Sequence, residues 1–383
     1  MEKSGKVLHN TVIHSIGKSH AVWFQQSGSY VLLEEAALEV FKLFLTGAPI
    51  DKITNDCIMK YGHLEKNMAG FVDEIVHSIQ FFNNPSNKKR RSGRALKFLQ
   101  VEKGIDIPGK VYRIGEKCLA IAYGNEYLQG LLHPLIAHLE TEEIVPEENF
   151  LELLEQKGRF FFRYRQKFSE SFGSKNVHYF TGALHQQLYS ILYDRDYNDW
   201  MAALHASGVV KKGKAVLFSA AGGSGKSTIS AILGGHGYQL LSDDFIMADR
   251  KGQVYSFPAA ISVKEGSIEV LSPFYHGMEE RSITETIAGK TTRYIPVDEV
   301  AYSETGFPVG AFVFVKYKAK GPFLLNEVDK REALQLLLKE TWVNQTPEMV
   351  ARFFEWIDNT RFYRLHYSQI SEALEATAKI LAL

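Results

Sequence analysis

The chain of 383 residues carries 44 Lys plus Arg against 44 Asp plus Glu, so no global field selects nucleic acid or anionic lipid as a partner. With 45% hydrophobic, 12% aromatic and 23% charged residues it has the make-up of a water-soluble globular protein of two or three domains, and no apolar run reaches the ~20 residues of a membrane-spanning helix. Two cysteines, Cys57 and Cys118, exclude a disulfide framework and a four-thiolate zinc site, and the first residues lack the apolar core of an export signal, so the expected location is the cytoplasm.

Residues 1–85 read as a self-contained small α+β module. In "HAVWFQQSGSYVLL" two apolar and aromatic runs flank Ser27-Gly28, the pattern of two short strands joined by a turn. The stretch "EEAALEVFKLFLTG" sets Ala37, Val40, Phe41, Phe44 and Leu45 on one helical face and stops at Gly47. A second helix is predicted between Pro49 and Gly62, and a third where Met68, Phe71, Val72, Ile75 and Ile79 form one stripe. Strands followed by three helices predict a winged-helix-like fold. Residues 86–94 read as a linker: turn formers surround Lys88, Lys89, Arg90, Arg91 and Arg94, without the interleaved aromatics that single-stranded nucleic acid would need.

Residues 95–383 read as one nucleotide-binding catalytic domain. The runs "KCLAIAY" and "RFFFRYR" are strand candidates, and "HYFTGALHQQLYSILYDRDYNDW" has helical period, with Leu184, Leu188, Ile191 and Leu192 together. A buried strand, "KAVLFSA", feeds a glycine loop, and "STISAILGGHG" is the helix after it. Another strand, "YQLL", leads to Asp243 and Asp244. Beyond it "QVYSFPAAISVKEGSIEVL" and "VGAFVFVKYK" read as strands, and the tail from Asn326, including "KREALQLLLKETW" and "ISEALEATAKILAL", as mostly helical.

The glycine loop carries the chemistry. Ala220 stands where the strict phosphate-loop spacing asks for its first glycine, but Gly222, Gly223, Ser224 and Gly225 lead into Lys226, Ser227 and Thr228 between a strand and a helix. Glycines let backbone N–H groups approach oxyanions, and the helix N-terminus adds positive potential. Lys226 supplies a point charge for terminal phosphates, and Ser227 can place its hydroxyl on Mg2+. Asp243 and Asp244, so soon after the loop, are expected at the strand ends where open α/β sheets bind ligands. Adjacent strand residues point to opposite faces, so one carboxylate would face an acceptor and the other a metal or a histidine; the alternative is a helix cap or a turn. His205 is either a packed histidine or a partner that tunes an aspartate. Lys290 and Arg293, in "AGKTTRYIP", are either a mobile phosphate clamp or solvent-exposed charges.

His205 in "LHASGVV", the loop "GGSGKST" and "LLSDDF" follow the order of the histidine, phosphate loop and paired aspartates of bacterial HPr kinase/phosphorylase. The segment from His205 to Asp244 resembles the catalytic domain of that family, whose nucleotide fold is related to phosphoenolpyruvate carboxykinase. The following "SFPAAISVKEGSI" is similar to divergent HPr kinase-like proteins from peptide-modification gene clusters. The resemblance implies an α/β, HPr kinase-like P-loop domain with a mixed sheet, with ATP and Mg2+ as cofactors. It further implies Asp243 as general base on a serine hydroxyl, Asp244 and Ser227 as organisers of the metal, Lys226 as phosphate partner and His205 as support for the aspartates. Phosphoryl transfer needs metal, positive charge and an oriented hydroxyl. Thr228 stands where bifunctional members carry glutamate, and their glycine- and arginine-rich signature is missing, which weighs against phosphorylase activity and against HPr as substrate.

Residues 1–85 resemble a PqqD-like domain, which implies a leader peptide added as a strand beside residues 30–33 and the third helix. The reading that follows is a kinase for a serine or threonine of a ribosomally made precursor peptide. Its rivals are a small-molecule kinase, with free serine or a sugar as acceptor, and a non-catalytic nucleotide-dependent regulator that binds DNA through the basic run. The N-terminal helices lack a basic recognition face, so nucleic acid ranks last. No membrane partner is expected, and a homo-oligomer stays open.

Overall fold

Strands β1 (Thr11–Ile16), β2 (Ser19–Phe24) and β3 (Ser29–Leu33) form an antiparallel meander whose turns use Gly17 and Gly28, both at positive φ. Helix α1 (Glu35–Leu45) lays Ala37, Leu38, Val40, Phe41 and Phe44 into a core shared with Val22 and Phe24. It stops at Gly47, φ 76°, with the N–H groups of Thr46, Gly47 and Ala48 returned to the carbonyls of Lys42, Phe44 and Leu43. Helices α2 (Ile50–Tyr61) and α3 (Met68–Phe82) close the same core, and the Asn67 side chain caps α3 by accepting the Gly70 N–H at 3.1 Å. Strand β1 had no counterpart in the sequence reading. The computed structural model describes residues 11–62, 67–87, 109–220, 223–278, 283–285, 291–297 and 300–382. The chain is mixed α/β and groups into two compact units, Met1–Arg90 with Val328–Asn359, and Arg91–Glu327 with Thr360–Leu383.

The second unit begins with a lobe of β4 (Lys110–Ile114), β5 (Lys117–Tyr123), α4 (Glu126–Ile136), β6 (Glu140–Thr141), β7 (Phe150–Gln156), β8 (Arg159–Tyr164), β9 (Lys167–Phe168) and β10 (Phe172–Gly173). Its sheet runs β10-β8-β7-β5-β4-β6, with β9 on β8. Helix α5 (Val177–Leu192) buries Phe180, Leu184, Leu188 and Tyr189. Next come β11 (Trp200–Leu204), β12 (Ser207–Lys211), β13 (Lys214–Ser219), α6 (Lys226–Gly235), β14 (Gln239–Ser242), β15 (Ile246–Asp249) and β16 (Gln253–Tyr255). A three-stranded sheet, β17-β19-β18, follows from β17 (Ile261–Val263), α7 (Ile268–Leu271), β18 (Thr284–Glu285) and β19 (Thr291–Ile295). Strands β20 (Phe307–Tyr317) and β21 (Leu324–Glu327) then return to the nucleotide sheet.

The order β14-β12-β13-β20 positions the site. Strand β12 is antiparallel to both neighbours, with Ser207 opposite Phe218 and Gly208 opposite Ser242. The start of β12 therefore lies at the same edge as the ends of β13 and β14. A Cβ on Gly208 would stand 2.9 Å from Leu217 Cδ2 and 3.1 Å from both Ile246 Cδ1 and Leu241 Cδ2. Gly208→Ala is expected to lower stability by about 1–3 kcal/mol through overpacking; a thermal melt matching the wild type would show that this crossing has slack.

Beyond β21 the chain forms α8 (Lys330–Leu337), β22 (Thr341–Val343) and α9 (Pro347–Asn359), then β23 (Phe362–Tyr367) and α10 (Ile370–Ala382). The expected single domain over 95–383 is not what the contacts give: 328–359 packs within the N-terminal unit. The physical reason is β2, which is buried on both faces. Val22 and Phe24 face the three helices, and by strand alternation Ala21 and Trp23 face the other way. There Trp23 Nε1 donates to Gln345 Oε1 at 2.9 Å and Gln345 Nε2 donates to Tyr30 Oη at 3.0 Å. His14 Nε2 lies 2.6 Å from Asp358, and the rings of His14 and Tyr30 sit 5.7 and 6.1 Å from Phe354 of α9. The tail is mostly helical, as expected, and it also holds strands β22 and β23. Strand β23 runs parallel to β20 in full register, from Phe312 opposite Phe362 to Tyr317 opposite Tyr367, and α10 covers it with Ala373, Ala376 and Ile380. Among the described residues, no helix is long and apolar enough to cross a membrane.

Candidate active site

Strand β13 is buried from Ala215 to Ser219 and runs parallel to β20, so the glycine loop leaves from the C-terminal edge of a central strand. Gly223 and Gly225 have φ of 88° and 99°, in the left-handed region that glycine enters freely. At Gly225 the requirement is also steric, since a Cβ would meet Tyr367 Oη at 3.0 Å. The Ser224 carbonyl accepts the Tyr317 N–H at 3.1 Å, which ties the loop to the end of β20. Gly222, Lys290 and the basic run from Lys88 to Arg94 lie outside the described residues.

Lys226 opens α6 with only 7% of its side chain exposed. Its Nζ lies 2.7 Å from His205 Nε2 and 3.5 Å from Asp244 Oδ1, while His205 Nε2 lies 3.0 Å from the same oxygen. One ring nitrogen cannot accept a proton from Lys226 and donate one to Asp244 at the same time. The three groups form a cluster in which one of these two bonds is always unmade. A buried hydroxyl relay anchors its base: Ser207 Oγ donates to the Lys226 carbonyl at 2.9 Å and Ser230 Oγ to Ser207 Oγ at 2.7 Å.

The two aspartates part company because the chain turns after β14, with Asp244 at φ 67°. This separates them by a turn, where the sequence reading relied on strand pleating. Asp243 is buried; its Oδ2 accepts the Ser262 N–H at 3.0 Å, and its Oδ1 makes no hydrogen bond of ordinary length among the described residues, although the nearby Ser227 hydroxyl favours its charged form. Burial, then the charge of Asp244, pushes the Asp243 carboxyl up to about 7. Loss of water around Asp244 works to raise its carboxyl too, but the hydrogen bond and charge of His205, with Lys226, outweigh it and hold Asp244 below its ordinary value. His205 thus engages Asp244.

The other predicted residues have local partners. Thr228 Oγ1 lies 2.9 Å from Ser267 Oγ, and Arg293 pairs with Glu265 at 2.7 Å. Ser227 is half-buried on the first turn of α6. Two groups near the aspartates were not singled out from sequence. His185, on α5, has its ring 5.2 Å from Phe245 and its Nδ1 2.7 Å from the Thr181 carbonyl. Burial lowers its affinity for a proton, against the pull of Thr181 and Asp244. Tyr294, on β19, is raised by burial and by the charges of Asp244 and Asp243. In sequence His185 shows only as a polar residue beside an apolar helical stripe, and Tyr294 has no local signal.

Among the described residues, no three His, Cys, Asp or Glu side chains gather into a metal cage. Mg2+ does not require one, because it commonly takes one or two carboxylates and fills its shell with water and phosphate oxygens. The donor set fits that habit: Ser227 on the loop helix and Asp244 with 60% of its side chain exposed, which leaves Asp243 Oδ1 outside the metal shell.

No protein-family model matches the chain, and no curated protein matches it. Among solved structures, the Hpr(Ser) kinase/phosphatase from Coxiella burnetii is similar over 47% of this chain and 93% of its own, at 12% identity and a TM-score of 0.22.

Proposed function

We propose that the chain is an ATP- and Mg2+-dependent kinase that transfers the terminal phosphoryl group of ATP to a serine or threonine hydroxyl of a precursor peptide. The observation that carries this reading is the meeting of Lys226, His205 and Asp244 at the head of α6, with one oxygen of buried Asp243 free beside them. The loop amides and the N-terminus of α6 bind the phosphates, and Lys226 exchanges its carboxylate partner for phosphate oxygens. That exchange lets His205 Nε2 donate to Asp244. Asp243 Oδ1 takes the proton of the acceptor hydroxyl while the hydroxyl oxygen bonds to the γ-phosphorus, the bond to the β–γ bridging oxygen breaks, and ADP leaves. Ser227 and Asp244 would hold Mg2+, which when bound supplies positive charge against the phosphate oxygens.

The N-terminal unit suits the peptide part of the reading. Strand β3 ends the sheet β1-β2-β3, so its outer backbone offers a ladder to an extended leader. A held leader raises the local concentration of the acceptor, and the cleft need not bind it tightly.

Incubating the protein with ATP, Mg2+ and the precursor peptide encoded beside its gene is expected to add phosphate to the peptide, read as intact mass. Phosphate on free serine or a sugar, with the peptide untouched, would replace this reading by a small-molecule kinase. Nucleotide binding without transfer to any acceptor would remove the kinase altogether.

A further inference from the structure

The two sides of strand β13 are built differently. On one side β12 and β14 bring His205 and the aspartates to the loop. On the other, β20 and β23 run parallel to β13 and end in paired tyrosines, Tyr317 opposite Tyr367. Both tyrosines touch the loop. The Tyr317 N–H donates to the Ser224 carbonyl, and a Cβ at Gly225 would lie 3.4 Å from Tyr317 Cβ and 3.0 Å from Tyr367 Oη.

From this arrangement we infer that Tyr317 and Tyr367 form the subsite for the planar base of the nucleotide, so that the loop divides a base-binding side from a phosphoryl-transfer side. This subsite rests on the nucleotide reading proposed above. Tyr317 is 48% exposed, and its ring is braced edge-on by Tyr367 at 5.5 Å between centroids. An aromatic ring held rigidly and left half open is a stacking surface that accepts any base. Tyr367 is 3% exposed, and its hydroxyl has no hydrogen-bond partner among the described residues. The Tyr61 and Tyr363 hydroxyls are buried without a partner too, but only the Tyr367 hydroxyl of the three lies against the loop, where a nucleotide would supply the missing acceptor. The ends of strands parallel to β13 are also where an open sheet receives the rest of a ligand whose phosphates lie on the loop.

The test compares ADP with pyrophosphate, both with Mg2+, by calorimetry on the full chain. Wild type is expected to bind ADP more tightly than pyrophosphate. Tyr317→Ala should weaken ADP on the order of tenfold while leaving pyrophosphate unchanged, and Tyr317→Phe should retain ADP binding. Equal weakening of both ligands by Tyr317→Ala would assign the ring to loop structure and overturn the subsite. So would equal affinity of wild type for both ligands, with the phosphate loop itself left standing. Wild type that binds neither ligand would overturn the nucleotide reading and the subsite together.

Discussion

Asp243→Asn is expected to slow phosphoryl transfer by about 10²–10⁴-fold, the usual contribution of a positioned general base, and to raise the melting temperature at alkaline pH. Asparagine keeps an oxygen for the Ser262 N–H but cannot take the acceptor proton. The stability effect has the opposite sign because the folded protein raises this carboxyl from 3.8 to about 7. A group raised on folding favours the fold while protonated, and that support is lost as the pH rises from below 3.8 through about 7. Above that window the wild type carries a buried carboxylate with one unpartnered oxygen, and the asparagine variant does not. The gain should be on the order of a few kcal/mol at pH 8 and shrink toward pH 4. Thermal melts across that range, beside single-turnover assays, read both effects. A stability difference that does not change with pH would refute the burial argument, and an undiminished rate would refute the base.

Trp23→Ala is expected to cost about 3–5 kcal/mol, among the largest effects a single core truncation produces. Trp23 is fully buried, and its loss would open a cavity on the β2 face covered by 328–359 while leaving Gln345 Oε1 without its donor. Trp23→Phe refills much of the volume without the N–H, so the difference between the two variants separates packing from the hydrogen bond. Denaturant titration gives the energies, and limited proteolysis should show earlier cutting in residues 11–62. If Trp23→Ala falls within about 1 kcal/mol of wild type, the face is not closed in solution.

Much of this architecture is written in local pattern. Helix α1 follows from an apolar stripe that stops at Gly47, α2 from Pro49 and Gly62 at its ends and α3 from its stripe, and the loop between β13 and α6 follows from glycines placed between a buried strand and a helix. His205, Lys226 and Asp244 fall within one short segment, so their meeting needed only a strand order that returns to the same edge. What could not be read depends on distant partners. Strand β23, "FYRLHY", lies between two strongly periodic helices and is a strand because β20 and β21 flank it. The signal for the second cover on the N-terminal sheet was present but silent: "AVWF" is apolar without alternation, which means burial on both faces but does not say by what. Tyr317 and Tyr367 are fifty residues apart by number, and only strand register brings them to Gly225.

The return of 328–359 to the N-terminal unit sets a schedule for synthesis. Residues 11–82 emerge from the ribosome before 328–359 and can form their three strands and three helices, but the partners of Trp23 and His14 are Gln345 and Asp358. At roughly 5–20 residues per second, tens of seconds pass before α9 is made. For that interval the Trp23 face of the nascent sheet lacks the cover that 328–359 gives it. The unit that holds β1 to β3 is completed only once 328–359 has been translated, and until then its Trp23 face is a surface that ribosome-associated chaperones would bind.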